Sequence, residues 1–221
     1  ASAVRVRPHA KSHKCVAIAK RQMAAGAVGV CCQKVSEAAI FVQGGIRNVL
    51  ITNEVVGARK IGALVALSSL HPQARIGVCV DNANVARQLG LAINHAGARL
   101  DVYVDLDVGD NRTGGTSAEE VVTLARMIVA HGRLTFMGLH AYGGSAQHRR
   151  GVPERRAASD IAAAKAAAAR AALRAADLPC EIVTGGGTGT FAYDAQSSIY
   201  NEIQPGSFVL MDVDYARNRQ D

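Results

Sequence analysis

Tryptophan is absent from the 221 residues, and the aromatic residues Phe, Tyr and Trp together make up only 4% of them. Alanine and valine are abundant instead, together with 22 glycines. Small apolar side chains suit the close packing of helices on a parallel sheet better than the core of an all-β sandwich. The composition therefore favours an α/β fold, and the length suits one domain, which we expect to cover residues 1–221.

Paired cysteine motifs and long apolar runs are also missing. The five cysteines are odd in number and include no C-x-x-C spacing, which argues against a disulfide framework and a structural zinc site and indicates a reducing compartment. No charged amino-terminal region precedes an apolar stretch, and no run of about 18 apolar residues occurs. We therefore expect a soluble cytoplasmic protein with no membrane partner.

The formal net charge is +7, but most basic residues are scattered along the chain and no aromatic residues are interleaved with them. This pattern does not indicate a nucleic-acid partner. Two explanations of the charge stay open. The basic residues form a solvated surface, or they attract a phosphorylated cofactor and anionic substrates.

Segments with strand character alternate with segments of helical periodicity along the chain. The predicted strands are Val4–Ala10, Val28–Cys32, Asn48–Asn53, Arg75–Asp81, Leu100–Asp107, Leu134–Tyr142, Glu181–Gly186 and Glu202–Met211. The predicted helices are Cys15–Ala24, Ser36–Gln43, Ala58–Ser68, Ala83–His95, Ala118–Ala130 and Pro153–Ala176, with a weak last connection at Thr190–Ser198. Eight strands with crossover helices predict a (β/α)₈ TIM barrel, with a doubly wound open sheet as the alternative.

The run Thr184–Thr190 is the most informative segment at a predicted strand end. Its three consecutive glycines let the backbone approach a phosphate closely, and its threonines add hydroxyl donors. Neither a Walker lysine nor a dinucleotide fingerprint accompanies them. Phosphate sites of these barrels are built after strands seven and eight, so this run and Gly206-Ser207 predict such a site. A structural turn is the alternative.

Lys11 follows the first predicted strand in the segment Arg7–Lys14. A lysine at a barrel strand end can form a Schiff base with a carbonyl compound if its surroundings lower its pKa. We expect His9, His13 and Lys14 to act in that direction. A surface lysine would be the better explanation if no phosphate loop accompanied Lys11.

Taken together, four segments resemble the fold-type III pyridoxal-5′-phosphate (PLP) enzymes. The resemblance is to the branch that contains D-threonine aldolase, 3-hydroxy-D-aspartate aldolase and D-serine dehydratase, and it spans nearly the whole chain. The segments are Arg7–Lys14, Gly29–Ala38, Gly185–Thr190 and Tyr200–Ser207. The resemblance implies a PLP-binding barrel and a homodimer.

The resemblance also implies roles for single residues. Lys11 would form the Schiff base with PLP, Arg112 would meet the phenolic oxygen, and Tyr142 would stack beside the ring. We expect His140, two residues before Tyr142, on the other side of the strand. Gln204 falls where an arginine approaches the pyridine nitrogen in alanine racemases, and its neutral amide would not enforce a pyridinium. The phosphate would be held by Gly186, Gly187, Thr188, Gly189, Thr190, Gly206 and Ser207.

The activity that the resemblance implies is retro-aldol cleavage of a D-3-hydroxy amino acid to glycine, or a related amino acid, plus an aldehyde or oxoacid. The alternatives are β-elimination, as in D-serine or 3-hydroxyaspartate dehydratase, a non-catalytic PLP homeostasis protein, and a cofactor-free barrel that binds a sugar phosphate. Family members carry a carboxyl-terminal β-rich domain that these residues lack. In this branch that domain binds a divalent metal (Mn²⁺, Mg²⁺ or Zn²⁺), so we expect the metal ligands outside this sequence and name none.

Overall fold

The computed structural model describes residues 4–219, and within them eight parallel strands alternate with eight α-helices. The strands are β1 (Arg5–Val6), β2 (Val30–Cys32), β3 (Asn48–Glu54), β4 (Arg75–Val80), β5 (Leu100–Asp105), β6 (Leu134–His140), β7 (Ile182–Gly185) and β8 (Glu202–Ile203). The helices are α1 (Val16–Ala24), α2 (Val35–Gln43), α3 (Ala58–Leu70), α4 (Ala83–Ala96), α5 (Ala118–Ala130), α6 (Val152–Ala175), α7 (Phe191–Gln196) and α8 (Val213–Ala216). Short 3₁₀ helices cover Ser145–His148 and Ser207–Val209.

The strand order is β1-β8-β7-β6-β5-β4-β3-β2, so β1 and β2 are the two ends of the sheet. These ends are joined beyond β1 by a parallel bridge between His9 and Cys31. The Cys31 amide donates to the Pro8 carbonyl at 2.9 Å, and the Ala10 amide donates to the Cys31 carbonyl at 2.8 Å. The sheet therefore closes, which confirms the predicted (β/α)₈ barrel over the doubly wound sheet.

Seven of the eight predicted strands were longer than the observed ones, most by only one or two residues. The first and the last exceeded the observed strands by far more, and a proline explains each of these two differences. Regular pairing in β1 stops at Val6 because Pro8 has no N–H to donate, and bridging resumes only at His9. The last strand was predicted to reach Met211, but β8 ends at Ile203. Pro205 interrupts the ladder there and the chain turns into the 3₁₀ helix Ser207–Val209.

Local sequence signals explain where several helices begin and end. Asn82 caps α4 by accepting the amide of Asn84 at 2.9 Å, and Gly97 ends that helix with a φ of 66°. Ser117 and Glu120 form a reciprocal capping box at the start of α5. Among residues 4–219, none of the helices combines the length and the hydropathy that crossing a membrane requires.

The main core lies between the helices and the sheet, and a second buried cluster lies on six of the strands. This second cluster consists of Cys31, Leu50, Cys79, Tyr103, Met137 and Ile182. Arg7, which directly follows β1, and Glu202 on β8 occupy the equivalent positions at the two remaining strands. They form a buried ion pair, with 2.9 Å from Arg7 Nε to Glu202 Oε1. All five cysteines are free, and burial raises the pKa of the Cys31 and Cys79 thiols, so these two act as small apolar side chains.

Candidate active site

A small cavity opens among residues at the carboxyl ends of the barrel strands, which we call the mouth. It is lined by His9, Lys11, Gln33, Thr52, Arg112, His140, Tyr142 and Gln204. Six of the eight strands or their following loops contribute to it. The structure thus brings together the four residues expected to surround a cofactor ring, namely Lys11, Arg112, Tyr142 and Gln204.

Lys11 lies in the turn after β1, and its side chain remains open to solvent at the edge of the mouth. Desolvation, followed by the positive charge of Arg112, lowers the pKa of its ammonium group. The expectation that His9, His13 and Lys14 lower this pKa is wrong, because none of them is among its causes, and Lys14 Nζ lies 3.3 Å from Glu37. The Ser12 hydroxyl donates to the Gly206 carbonyl at 3.1 Å, which joins the lysine turn to the loop after β8. Lys11 is therefore biased toward the neutral amine that attacks a carbonyl.

His9 lies on the floor of the mouth in the neutral state. Burial, followed by the charge of Lys11, lowers its pKa well below the usual histidine value. Its Nδ1 accepts the Lys11 amide at 3.3 Å, and its Nε2 lies 2.9 Å from the Thr52 hydroxyl oxygen. With Nδ1 accepting, Nε2 carries the proton and donates to Thr52. Both ring nitrogens of His9 are therefore occupied.

The loop that carries Arg112 is held by carboxylates. Asp107 Oδ1 accepts three successive amides, those of residues 109–111, at 2.8 to 3.1 Å. Asp110 in turn accepts the Ser145 amide at 3.0 Å and so ties this loop to the loop after β6. These bonds fix the shape of the loop from which Arg112 reaches the mouth.

His140 and Tyr142 lie side by side, with ring centroids 6.3 Å apart and planes 23° apart. The expectation that His140 lies on the other side of the strand is wrong. Residues two apart on a strand share a face, because successive side chains alternate. Burial raises the pKa of the Tyr142 phenol, so Tyr142 is neutral over the ordinary pH range.

The glycine-rich loop after β7 packs on Gln147. The Gly189 amide donates to Gln147 Oε1 at 2.9 Å, and Gln147 Nε2 donates to the Thr190 hydroxyl oxygen at 2.9 Å. The Gly187 amide also points to that oxygen, at 3.4 Å. The Gly189 amide and the Thr190 hydroxyl therefore already have protein partners, and they hold the shape of the loop.

Other donors of the two predicted phosphate loops are free. The amides of Thr188, Gly206 and Ser207 donate to no atom of residues 4–219. The Phe208 amide donates to the Thr188 hydroxyl oxygen at 3.1 Å and so joins the loops after β7 and β8. Gly186 opens the first loop with a φ of 70°, a conformation that favours glycine. Unpaired amides on adjoining loops fit an anionic group such as a phosphate.

Gln204 is the buried member of the mouth nearest to these loops in sequence. Its side-chain Nε2 donates to the Thr184 hydroxyl oxygen at 2.8 Å, and its backbone amide donates to the carbonyl of Gly185 at 2.9 Å. The amide group is therefore fixed in one orientation. It brings no charge to the mouth.

Residues 2–214 match the family model described as the alanine racemase N-terminal domain. The chain belongs to this family. Over 218 residues it is 46% identical to D-threonine aldolase of an Arthrobacter species, a match that covers 99% of this chain and 57% of that protein. It is 44% identical over 218 residues to 3-hydroxy-D-aspartate aldolase of Paracoccus denitrificans, with 98% and 56% of the two chains covered.

The crystal structure of D-threonine aldolase from Filomicrobium marinum has the same fold, with a TM-score of 0.95 and 52% sequence identity. The superposition covers 98% of this chain and 58% of that one. This member of the alanine racemase N-terminal domain family thus spans a little more than half the length of the relatives that it matches.

The implied metal does not fit the described residues. No group of three His, Cys, Asp or Glu side chains that could hold a metal ion occurs among residues 4–219 of this alanine racemase N-terminal domain family member. Its ligands remain a prediction for residues outside this sequence.

A cavity of about 670 Å³ near the end of α6 is lined by Arg170, Arg174 and Cys180 but by none of the mouth residues. The size of a cavity therefore does not identify the site.

The sequence suggested no role for Gln33, Thr52 or Gln147, gave His9 only an influence on the pKa of Lys11, and led to a wrong placement of His140. His9 was visible beside Lys11, and the spacing of two between His140 and Tyr142 placed both on one face. Nothing local indicated Gln147, because it meets Gly189 across 42 positions of the chain.

Proposed function

We propose that this chain is the cofactor-binding barrel of a PLP-dependent lyase that cleaves D-3-hydroxy amino acids to glycine, or a related amino acid, plus an aldehyde or oxoacid. One observation carries the proposal. The mouth holds a lysine of lowered pKa beside Arg112, next to two loops with unpaired amides. The two aldolase relatives support the substrate class, because the names of both refer to D-amino acids that carry a hydroxyl on the β-carbon.

Each residue at the mouth has a place in this proposal. Lys11 would hold PLP covalently, Arg112 would meet its phenolic oxygen, and Tyr142 would flank its ring. The amides of Thr188, Gly206 and Ser207 would bind its phosphate. Bound PLP supplies an electron-withdrawing ring that stabilises the charge left on the substrate's Cα when one of its bonds breaks.

The residues of the chain prepare the mouth for this chemistry. The lowered pKa of Lys11 increases the fraction of neutral amine that can attack the carbonyl carbon. The phenol of Tyr142, which lines the mouth, stays neutral because burial raises its pKa. The fixed charge of Arg112 favours anionic oxygens beside Lys11. His9 adds no positive charge, because it stays neutral.

Three further properties of the whole protein belong to this proposal. We expect a divalent metal (Mn²⁺, Mg²⁺ or Zn²⁺) whose ligands lie outside this sequence, a homodimer and a cytoplasmic location. The metal would polarise the substrate's β-oxygen.

The direct test supplies the purified protein with PLP and Mn²⁺ and offers D-threonine, L-threonine and D-serine in parallel. We expect glycine and acetaldehyde from D-threonine only, and loss of the reaction with EDTA. Ammonia and 2-oxobutyrate from D-threonine, with pyruvate from D-serine, would instead assign β-elimination. No turnover of any β-hydroxy D-amino acid would refute the lyase.

Gly206 tests the phosphate loops separately from the reaction. A Cβ at this position would lie 2.6 Å from the carbonyl oxygen of His9, so Gly206→Ala must move the loop that supplies two unpaired amides. We expect the affinity for PLP to fall about tenfold or more, as expected for losing one hydrogen bond to a charged group. Titration of the apo protein with PLP, followed by absorbance, measures the change.

Gly62→Ala is the matched control for this substitution. Gly62 lies within α3, and a Cβ there has nothing within 4 Å. Alanine should raise the free energy of unfolding by roughly 0.5–1 kcal/mol and leave PLP binding unchanged. A Gly206→Ala protein that binds PLP as tightly as the wild type would remove Gly206 from the site.

A further inference from the structure

The second histidine of the mouth, His140, has a ring nitrogen with no partner. His140 is 4% exposed, and its Nδ1 lies 2.5 Å from Asp105 Oδ1 on the neighbouring strand. Its Nε2 is buried and forms no hydrogen bond with any described residue. An unpaired buried nitrogen is unfavourable by about 1–3 kcal/mol, so in a native protein it calls for a partner. Because His140 lines the mouth beside Lys11 and Tyr142, that partner can be a bound molecule.

Asp105 determines which nitrogen of His140 carries the proton. Burial opposes ionisation of Asp105, but its interaction with His140, with further hydrogen bonds from Thr113 and Glu54, outweighs burial and lowers the pKa of Asp105. An ionised carboxylate only accepts hydrogen bonds, so Nδ1 of His140 is the donor. In the neutral ring Nε2 is then the nitrogen that carries a free lone pair.

A second carboxyl group, that of Glu54, interacts with Asp105. Burial, followed by the negative charge of Asp105, raises the pKa of Glu54 to about 7. Glu54 is therefore largely protonated below that pH, and the negative charge beside His140 is then concentrated on Asp105. This arrangement resembles the carboxylate that orients the histidine of a hydrolase triad.

His9 shows that this arrangement is specific to His140. Both nitrogens of His9 are paired, one with the Lys11 amide and the other with Thr52. Gln204, the other buried polar group of the mouth, already uses its Nε2 to donate to Thr184. His140 Nε2 is thus the unpaired ring nitrogen of a residue that lines the same cavity as the two residues expected at the ring's edge, Arg112 and Gln204.

We propose that His140 is a further cofactor-contacting residue, which Asp105 orients so that Nε2 accepts a hydrogen bond from a donor on the edge of the bound ring. This inference rests on the proposed function, because it takes PLP as the occupant of the mouth. It supplies a basic partner that the neutral amide of Gln204 does not provide. Two donors share the required chemistry, namely the protonated pyridine nitrogen and the phenolic hydroxyl. Asp105 is a positioning residue.

The first test follows the histidine nitrogens of the purified protein by ¹⁵N NMR, with His140 assigned by comparison with His140→Gln. In the apo protein we expect His140 to be protonated on Nδ1 and bare on Nε2, and we expect the Nε2 signal to move when PLP is added. In Asp105→Asn the preference for this tautomer should be lost. If Nε2 of the wild type carries a proton, or if PLP does not change its signal, the inference is overturned. This result does not depend on whether a variant folds.

The second test measures PLP binding. We expect His140→Gln to weaken PLP binding about 10- to 100-fold and Asp105→Asn to weaken it less, while His95→Gln, an exposed histidine on α4, binds as the wild type does. With ¹⁵N-labelled PLP, a shifted ring-nitrogen signal in His140→Gln identifies the pyridine nitrogen as the donor. An unmoved signal together with weakened binding identifies the phenolic hydroxyl.

The outcomes separate this inference from the proposed function. Unchanged PLP affinity in His140→Gln overturns the inference alone. A wild type that binds PLP through His140 but cleaves no D-3-hydroxy amino acid overturns the lyase and leaves this contact standing. A wild type that does not bind PLP overturns both.

Discussion

Lys11→Ala is expected to abolish the yellow, borohydride-reducible PLP chromophore and, with it, all cleavage of D-threonine. Among the lysines of residues 4–219, Lys11 is the one that lines the mouth. Desolvation and the charge of Arg112 lower its pKa. Alanine offers no amine to attack the carbonyl carbon, so covalent attachment and turnover should be lost together. The absorbance spectrum and the mass of the borohydride-treated protein measure attachment directly.

Lys14→Ala provides the matched control three positions away. The Lys14 ammonium lies 3.3 Å from Glu37 on the outer side of the same turn, and it does not line the mouth. This variant should keep the chromophore and the activity. A chromophore that persists in Lys11→Ala, or one that disappears in Lys14→Ala, would mean that the attachment site has been assigned to the wrong lysine.

The fold could be predicted because the alternation of strands and helices is a local property of the sequence. Each βα unit shows its own periodicity, several helices end at a glycine such as Gly44 or Gly97, and eight such units leave few ways to close a sheet. The largest errors in strand length fall where a proline removes a hydrogen bond. Pro8 and Pro205 shorten β1 and β8, and apolar residues as far as Met211 gave the appearance of a longer strand.

The candidate site could be predicted only as far as its residues stand next to each other in the chain. Lys11 and the glycine-rich run are visible as local motifs. Asp105, which orients His140, comes from a different strand 35 positions away, and Gln147 meets Gly189 across 42 positions. Such partners depend on the register between strands and the path of loops, which local periodicity does not specify.

Arg7 shows the same limit with the largest separation. In the sequence it is the first residue of the lysine segment Arg7–Lys14, and nothing near it in the chain indicates its partner. In the structure its guanidinium instead meets Glu202, 195 positions away, and it also donates to Asn48 Oδ1 at 2.7 Å. It is 3% exposed and does not line the mouth. Its role is to complete the interior where β1 joins β8.

Glu202→Gln should therefore destabilise the barrel by about 3–5 kcal/mol, the range observed when one partner of a buried ion pair is removed. Arg7 donates to both carboxylate oxygens of Glu202, at 2.9 and 3.2 Å, and Glu202 is fully buried. Burial alone favours a neutral guanidine, yet the charge of Glu202 outweighs it and raises the pKa of Arg7. A guanidinium does not lose its proton at any ordinary pH, so in the variant Arg7 stays charged and loses its counter-ion.

Urea unfolding followed by circular dichroism measures this loss, and Asp101→Asn provides the control. Asp101 pairs with Arg75 at 2.7 Å, but the arginine side chain is 58% exposed, so removing this carboxylate should cost less than about 1 kcal/mol. The double variant Arg7→Met, Glu202→Leu removes both charges and should recover much of the stability lost in Glu202→Gln, because no unpaired charge stays buried. If Glu202→Gln and Asp101→Asn cost the same, water reaches the interior pair, and desolvation of Arg7 is not what makes Glu202 necessary.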